Sequence, residues 1–428
     1  MSFPAPDPIG RLPEQPLDWR FKAAPVAAQG LTVREFLATG PRLADLQTPL
    51  LSLDGQALTA NLERMAQWCQ SQGVSLAPHG KTTMAPQLWQ RQLDRGAWGI
   101  TLANLAQMRV ASEFGVPTIM LANALVDREA IRWTAAAVAA GTRIVSWVDD
   151  LQTVQRIDAV LAELPVEMVP SELEVLVELG GAGGRTGARG IQAALEVAAA
   201  VADSPRLRLA GVAGYEGSLA HDASVAGLAA VRDYLSEFAG LHEALLAQGC
   251  YAPGRRVILS AGGSAYFDLV LEAWGQYRAE GVEILLRSGA YLVHDDGFYR
   301  GVSPFSRADQ GQPFAAGMHA WARVVSQPEP GLAILDAGKR DLPFDEGLPE
   351  PQGIAVELGA GLAPLPGATI TAVNDQHCYL AFDPASTEVR IGQVVRLGLS
   401  HPCTAFDKWT LIPVLDGDRV VDLVRTFF

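Results

Sequence analysis

Residues 208–264 contain one complete strand–helix–strand pattern. The stretch begins with RLAGVAGYEG (208–217), continues through YLSEFAGLHEALLAQG (234–249), and ends with RVILSAGGS (256–264). Apolar residues that recur every three to four positions, as in the middle segment, are typical of a helix. Continuous apolar runs, as in the outer segments, are typical of strands that are buried on both faces of a parallel sheet. The stretch therefore predicts one βαβ unit.

The same alternation extends in both directions, from about residue 48 to about residue 295. The strand-like runs, in order, are TPLLSLD, VSLAPHG, WGITLA, TIMLAN, RIVSWVDD, LEVLVELGG, RLAGVAGYEG, RVILSAGGS and EILLRSGAYLV. A (β/α)8 barrel of the TIM type needs eight such strands within about 250 residues, so one run is surplus. TPLLSLD follows a Pro-rich leader and is predicted to lie outside the barrel, paired with the C-terminal part. A doubly wound open sheet is the competing α/β fold.

After residue 300 the helical spacing disappears, and short alternating runs are separated by Gly, Pro, Asp and Asn. This pattern predicts an antiparallel β domain. The predicted organisation is therefore an N-terminal leader over residues 1–47 that packs on the β domain, a barrel over 48–297, and a C-terminal β domain over 298–428.

Charge and composition limit the partners of the protein. The 428 residues carry a formal net charge of −14, which gives no long-range attraction to nucleic acid or to an anionic membrane. The N-terminus lacks the apolar segment of a signal peptide, and no apolar stretch is long enough to cross a bilayer. Four cysteines in so long a chain do not form a disulfide framework. We therefore predict a cytoplasmic protein whose partners include neither nucleic acid nor a membrane.

The segment PHGKTTMAP (78–86) carries the first candidate for chemistry. Lys81 lies just past the carboxyl end of the strand VSLAPHG, where barrel enzymes place their reactive groups. A lysine that burial or nearby positive charge makes neutral can form a Schiff base with an aldehyde. The triplet Gly80-Lys81-Thr82 imitates a nucleotide-binding phosphate loop, but that motif requires a glycine where Ser75 stands. A solvated loop lysine is the remaining alternative.

A second motif, His401-Pro402-Cys403, lies near the C-terminus. On an extended segment the side chains of residues i and i+2 point to the same side, so the imidazole and the thiolate can bind one metal ion together. Two protein ligands leave positions open for water or substrate, as a catalytic metal requires. The thiolate favours Zn²⁺, although another divalent ion and a purely structural pair both stay open.

Glycine-rich turns supply candidates for binding a phosphate group. The turn that contains Ser260, Gly262, Gly263 and Ser264 follows a strand and precedes a helix, so its backbone amides are suited to an anion. The loop GGAGGRTG (180–187) does not have the dinucleotide-binding spacing, because a threonine takes the place of the last glycine. Glycine in a tight βα turn also occurs for purely structural reasons.

PHGKTTMAP, followed by GAWGITLAN (96–104), resembles the lysine region of the fold-type III, alanine-racemase-like pyridoxal-phosphate enzymes. The resemblance is to the branch that contains D-serine dehydratase and D-threonine aldolase, and it extends from about residue 48 to the end. It implies that Lys81 is catalytic and holds pyridoxal 5′-phosphate, that the Ser260 turn binds the phosphate, and that His401 and Cys403 bind zinc. It also implies a homodimer.

The resemblance suggests roles for four further residues. His79, Arg185 and Tyr215 are assigned to the cofactor site, and Arg185 is also a candidate for the substrate carboxylate. His377, in NDQHCYL, is a candidate catalytic residue that orients a metal-bound water or the substrate. A surface ion pair for Arg185, a packed ring for Tyr215 and a structural histidine at 377 are the alternatives. Ala77 and Thr83 stand where relatives often have arginine and histidine, which leaves the preferred substrate open.

The implied activity is the dehydration of a D-3-hydroxy amino acid to a 2-oxo acid and ammonia. D-serine, D-threonine and D-threo-3-hydroxyaspartate are candidate substrates. Cys403 favours a dehydratase, because the aldolase branch is expected to carry a carboxylate at that position. Retro-aldol cleavage to glycine and an aldehyde is the alternative reaction, whereas a racemase lacks an identifiable second base. A non-catalytic cofactor carrier or amino-acid sensor is the alternative of another class.

Overall fold

The computed structural model describes residues 7–165, 172–251, 254–307 and 312–428. Residues 1–6 of the predicted leader lie outside the described residues. The described leader contains helix α1 (Val33–Ala38) and leads into strand β1 (Leu50–Asp54). Apolar leader side chains, including those of Leu17, Phe21 and Phe36, form one buried cluster with residues of the C-terminal sheet.

A parallel sheet follows the leader. Its strands are β2 (Ser75–Leu76), β3 (Ile100–Leu102), β4 (Thr118–Ala124), β5 (Arg143–Val148), β6 (Leu173–Gly180), β7 (Ala188–Arg189), β8 (Leu207–Gly214), β9 (Val257–Ala261) and β10 (Val282–Leu286). The helices between them are α2 (Gly55–Gln72), α3 (Pro86–Leu93), α4 (Leu105–Glu113), α5 (Arg128–Ala139), α6 (Leu151–Ala162), α7 (Ile191–Asp203), α8 (Val225–Ala247) and α9 (Phe267–Trp274). Strand and helix therefore alternate as the sequence predicts.

The sheet closes into a barrel. Its strand order is β2-β10-β9-β8-β6-β5-β4-β3, with the short β7 attached to β6. The two ends of this order meet, because Trp98 N–H donates to the Leu76 carbonyl at 2.7 Å and Thr101 N–H donates to the Pro78 carbonyl at 2.9 Å. The predicted (β/α)8 barrel is thus confirmed, and the open-sheet alternative is wrong.

Local sequence explains how the first helix of the barrel forms. Asp54 caps α2 by accepting hydrogen bonds from two backbone N–H groups, and Gly73 ends the helix in a left-handed conformation with φ of 64°. The inward face of α2 presents Leu58, Leu62 and Met65 to the main core. The barrel interior is filled by a separate set of side chains, so the lumen is not a channel. These are Ala77, Met120, Val145, Trp147, Leu176, Ala210, Ala213, Ile258 and Leu285.

The C-terminal domain is a second sheet. Its strands are β11 (Met318–Glu329), β12 (Leu332–Leu335), β13 (Glu350–Ala355), β14 (Thr369–Val373), β15 (Cys378–Ala381), β16 (Val394–Gly398), β17 (Leu411–Asp416) and β18 (Arg419–Arg425). Three short helices accompany them, α10 (Phe298–Val302), α11 (Pro304–Arg307) and α12 (Cys403–Phe406). The strand order is β14-β15-β12-β11-β1-β17-β18, and β16 joins β11 to β13.

Strand β1 belongs to this second sheet. It pairs antiparallel with β11 and parallel with β17. The pairing confirms that TPLLSLD lies outside the barrel. The predicted C-terminal antiparallel β domain is also confirmed, and β1 joins its sheet through one antiparallel pair and, with β17, one parallel pair. The domain boundaries at residues 48 and 297 stay predictions.

The amino ends of the barrel strands carry a cluster of charges. Glu174, on β6, accepts hydrogen bonds from Arg143 at 2.9 Å, from Arg255 at 2.6 Å and from Arg208. Arg208 is also 3.4 Å from Glu172. One nearly buried carboxylate therefore holds three arginines together at the amino ends of the barrel strands. Among the helices that the structure describes, none is long and apolar enough to cross a membrane.

Candidate active site

A cavity of about 630 Å³ lies at the carboxyl ends of the barrel strands, where the barrel meets the C-terminal domain. Its volume is in the range of small-molecule sites. The predicted residues that line it are His79, Lys81, Arg185, Tyr215, Gly263, Ser264, His401 and Cys403. The structure therefore brings the lysine turn and the metal motif, which are 320 positions apart in sequence, into one site.

Lys81 is held by a tight turn over Gly80–Thr82. A side chain at Gly80 would place its Cβ 2.6 Å from Ile100, so only glycine fits there. The indole N–H of Trp89 donates to the Gly80 carbonyl at 3.2 Å and fixes the turn against the barrel wall. Burial lowers the pKa of the Lys81 amine. The charge of Cys403 raises this pKa, whereas the charges of Arg185 and Arg287 lower it further. A larger neutral fraction makes the amine a better nucleophile toward an aldehyde.

His79 precedes this turn, is half-buried and lines the cavity. Burial lowers the pKa of its imidazole well below the usual value, and the charges of Lys81 and Arg287 act in the same direction. Its Nδ1 atom has no hydrogen-bond partner among the described residues. His79 is thus a neutral imidazole on the cavity wall.

The glycine turn after β9 already binds a carboxylate. The N–H groups of Gly262 and Gly263 donate to the two carboxylate oxygens of Glu216 at 3.1 and 2.6 Å. Gly262 does not line the cavity, whereas Gly263 does. The two amides therefore form an anion-binding pair, as the turn predicts, but in this structure the anion is Glu216.

Ser260 and Ser264 have different surroundings. Ser260 is buried beneath the cavity, where its hydroxyl donates to the Leu285 carbonyl at 3.0 Å and accepts from Arg287 at 2.6 Å. Ser264 lines the cavity, and its hydroxyl oxygen accepts from Ala290 N–H at 3.1 Å. Of the two predicted serines, Ser264 is placed to contact a ligand, and Ser260 is placed to hold Arg287.

Arg287 is the main cavity residue that sequence reasoning missed. It follows β10, is 4% exposed, and lies with its guanidinium carbon 4.7 Å from the centre of the Trp147 ring. It donates to Ser260 and to the Gly214 carbonyl. An arginine next to an apolar run was the only signal in the sequence. In the structure, Arg287 supplies a fixed positive charge beside the glycine turn.

Arg185 and Tyr215 contact each other. The Arg185 guanidinium carbon lies 4.5 Å from the centre of the Tyr215 ring, a cation–π contact. Burial raises the pKa of Tyr215 to about 12, so the phenol stays protonated at neutral pH. No described carboxylate forms an ion pair with Arg185. Its guanidinium is therefore available to an anionic group of a ligand.

Glu178, at the end of β6, was also missed. One of its oxygens accepts from the Thr186 hydroxyl at 2.8 Å, and the other is buried with no partner among the described residues. Burial raises the pKa of this carboxyl to about 7. Glu178 is thus a cavity-lining acid that titrates near neutrality.

The His-Pro-Cys motif is not extended as the sequence predicts. His401 has a left-handed backbone with φ of 57°, and Cys403 begins helix α12. The turn is fixed because His401 N–H donates to the buried carboxylate of Asp295 at 2.9 Å. His401 and Cys403 nevertheless both line the cavity, and each side chain shifts the pKa of the other.

The electrostatics of this pair favour charged forms. Burial lowers the pKa of His401, but Cys403 and Asp345 outweigh it and raise the pKa to about 9. Burial raises the pKa of Cys403, but His401 and other neighbours outweigh it and lower the pKa overall. His401 Nδ1 lies 2.6 Å from an Asp345 oxygen, and the Cys403 sulfur lies 3.4 Å from the Thr82 hydroxyl. The metal motif is thereby joined to the turn that carries Lys81.

His377 lies apart from these residues. It is exposed in the turn between β14 and β15, its carbonyl accepts from Asn374 N–H at 2.8 Å, and it does not line the cavity. Cys378 begins β15 with its side chain buried, and His377 before it stays on the surface. Within one chain, His377 does not meet the other candidate residues.

The donor set of the cavity fits pyridoxal phosphate. The amine of Lys81 would meet the aldehyde, and Ser264 and the charge of Arg287 would favour an anionic group of the cofactor. Thiolate and imidazole are ligands that zinc prefers. Among the described residues, however, no group of three or more His, Cys, Asp or Glu side chains is arranged to hold a metal ion, so this chain offers a pair with open positions.

Two family models match the chain. The model "Alanine racemase, N-terminal domain" matches residues 53–273, and "Putative serine dehydratase domain" matches residues 317–415. The first match spans just over half of the chain. The protein therefore belongs to the alanine racemase N-terminal domain family. The predicted fold-type III pyridoxal-phosphate enzyme family is thereby confirmed.

Curated relatives and a solved structure agree with this assignment. The chain is 29% identical over 382 residues to a D-threonine aldolase from Arthrobacter sp., covering 88% of this chain and 92% of the relative. It is 26% identical over 395 residues to the D-threo-3-hydroxyaspartate dehydratase of Delftia sp. strain HT23, covering 89% and 97%. The crystal structure of D-threonine aldolase from Filomicrobium marinum superposes with a TM-score of 0.76 at 26% identity, covering 90% and 97%. The relatives are lyases, and the chain is an enzyme of this class.

Proposed function

We propose that the protein is a pyridoxal-phosphate- and zinc-dependent dehydratase of D-3-hydroxy amino acids. Its substrate is D-serine or a close analogue, and its products are a 2-oxo acid and ammonia. The observation that carries the proposal is the contact between the lysine turn and the metal motif, where the Cys403 sulfur lies 3.4 Å from the hydroxyl of Thr82, the neighbour of Lys81. An amine for Cα chemistry and a ligand pair for a hydroxyl group thus share one cavity.

Lys81 holds the cofactor and moves the proton. Pyridoxal phosphate, when bound, supplies an electron sink for the negative charge that develops at Cα. The lowered pKa of Lys81 suits its amine to take the proton from Cα. Arg185, which has no described ion-pair partner, binds the substrate carboxylate. Ser264, Gly263, Tyr215 and His79 surround the cofactor.

His401 and Cys403 hold the metal ion. Zinc, when bound, acts as a Lewis acid on the β-hydroxyl and makes it a better leaving group. Asp345 contacts His401 Nδ1 and fixes the orientation of the imidazole. Open metal positions leave room for the substrate hydroxyl. We also propose a homodimer, as the family resemblance implies; sedimentation of the purified protein tests it.

The test is product analysis with three substrates. The protein is incubated with D-serine, D-threonine and D-threo-3-hydroxyaspartate, and carbonyl products, glycine and ammonia are identified. The proposal expects pyruvate from D-serine, 2-oxobutanoate from D-threonine and oxaloacetate from the third substrate, each with one equivalent of ammonia. Glycine with an aldehyde would refute the dehydration. Absence of any turnover would favour the carrier or sensor.

Retro-aldol cleavage is the second candidate. It requires a base that takes the proton of the β-hydroxyl, and His79 is a neutral imidazole that lines the cavity. The D-threonine aldolase from Arthrobacter sp. also matches 88% of the chain. Acetaldehyde and glycine from D-threonine would establish this reaction instead.

A further inference from the structure

Charge is unevenly distributed around the cavity. The barrel wall contributes the guanidinium groups of Arg185 and Arg287, and the C-terminal domain contributes Glu346 beside the metal motif. Glu216, on the barrel wall, is already held by two backbone amides. Glu178 also lines the barrel wall, but burial raises its pKa to about 7, so its negative charge is partly lost at neutral pH. The cavity therefore has a cationic end in the barrel, at Arg185 and Arg287, and an acidic end at the C-terminal domain.

Glu346 is a free carboxylate at the acidic end. It lines the cavity, is exposed, and forms no ion pair with any described residue. Its carbonyl accepts from the Ser400 hydroxyl at 2.7 Å, and it follows Asp345, which contacts His401. Burial raises the pKa of Tyr299 well above its usual value, and Cys403 and Glu346 both add to this. Glu346 thus acts on the same group as the candidate metal ligand.

The orientation of the substrate follows if the proposed function is correct. Cα must lie at Lys81, the β-hydroxyl at His401 and Cys403, and the α-carboxylate at Arg185. The remaining substituent on Cβ then lies at the acidic end. A divalent ion there brings two positive charges, which the Cys403 thiolate and the carboxylates of Asp345 and Glu346 more than offset. Lys81 acts on Cys403 as well, but in the proposed function its amine holds the cofactor and takes the Cα proton, so it does not neutralise a further anion.

We propose that this site selects D-3-hydroxy amino acids with an uncharged substituent on Cβ, such as D-serine and D-threonine, over those that carry a β-carboxylate. Glu346 is the residue that sets this preference. The inference rests on the proposed function, and it divides the candidate substrates by charge: D-threo-3-hydroxyaspartate becomes the poorest of the three.

A matched pair of ligands tests the charge preference without turnover. D-asparagine and D-aspartate have nearly the same shape, differ by one charge, and lack the β-hydroxyl. Their dissociation constants are measured on the holoenzyme by calorimetry at low salt. We expect D-asparagine to bind at least about tenfold more tightly, since an unpaired carboxylate near a second one is repelled. Glu346→Gln should reduce that ratio by about fivefold or more, and high salt should reduce it in the wild-type protein.

Glu350→Gln is the matched control. Glu350 is exposed, follows in the same segment, and pairs with Arg300 at 2.7 Å outside the cavity. The Glu350→Gln substitution should leave the ratio of the D-aspartate and D-asparagine dissociation constants unchanged. Equal binding of the two ligands by the wild-type protein overturns the proposal. A ratio that Glu346→Gln does not change, or that Glu350→Gln changes equally, overturns the assignment to Glu346.

Kinetics separate this inference from the proposed function. The proposal expects a higher kcat/KM for D-threonine than for D-threo-3-hydroxyaspartate. The reverse order would overturn the charge preference and leave the lyase activity established. Absence of turnover on every D-3-hydroxy amino acid, with the preference for D-asparagine intact, would refute the dehydratase and support the charge selection.

Discussion

Replacing Glu174 by glutamine is expected to destabilise the barrel by about 3–5 kcal/mol, the cost of removing one partner from a buried ion pair. The substitution keeps the shape of the side chain and removes its charge. Arg143, Arg208 and Arg255 then face one another without the carboxylate that holds them together.

The three contacts contribute unequally to this magnitude. The side chains of Glu174 and Arg208 are 9% and 10% exposed, so their pair is nearly dry and accounts for most of the loss. Arg143 and Arg255 are 41% and 64% exposed, and solvent-screened pairs of that kind contribute about 0–1 kcal/mol each. Burial already lowers the pKa of Arg208, and the charges of Arg255 and Arg143 add to this. Loss of the Glu174 charge therefore increases the electrostatic repulsion among the three arginines.

Urea denaturation followed by far-UV circular dichroism measures the effect. Glu172→Gln is the control, because Glu172 is about half exposed and its ion pair within the described part of the chain is with Arg208, at 3.4 Å. The control should lose less than about 1 kcal/mol. If Glu174→Gln is no less stable than Glu172→Gln, the cluster does not hold the amino ends of the strands together.

Three further predictions concern the site. Lys81→Ala should abolish the visible absorbance of bound cofactor, and an unchanged spectrum would exclude Lys81 as the attachment point. Cys403→Ala should lower bound zinc, measured by elemental analysis, by more than about tenfold, since one of two ligands is lost; full metal content in the variant would contradict the assignment. Glu178 has a folded-state pKa of about 7 against an ordinary 4.5, so the folded protein binds more protons between those values and its stability falls as pH rises through them. Glu178→Gln should remove that slope and stabilise the protein at pH about 8 by about 3 kcal/mol in urea titrations; an unchanged slope would contradict the burial argument.

Most of the fold could be predicted because its signals are local. Each strand run and each helical segment of the barrel is visible within about 20 residues, and the surplus run TPLLSLD was recognisable by counting. The parallel pairing of this run with β17 could not be predicted from the sequence. Leu53 pairs with Val414, which lies far along the chain, and no local pattern encodes a register over that distance.

The site was predictable where a motif exists and not elsewhere. Lys81 and the pair His401 and Cys403 stand in recognisable segments. The left-handed turn at His401 depends on a hydrogen bond to Asp295, more than 100 positions away, so the sequence indicated an extended segment instead. Arg287 and Glu346 each stand alone in the sequence, and only folding shows that they border the cavity.

Strand β1 lies between β11 and β17, although it precedes the whole barrel in sequence. The C-terminal domain is consequently not a contiguous module. A fragment that starts at residue 298 would lack the strand that joins β11 to β17. A chimera that takes only this fragment from a relative would pair strands from two different proteins in one sheet. Recombination between members of this family should therefore succeed only when the segment around Leu50–Asp54 is exchanged together with the C-terminal fragment.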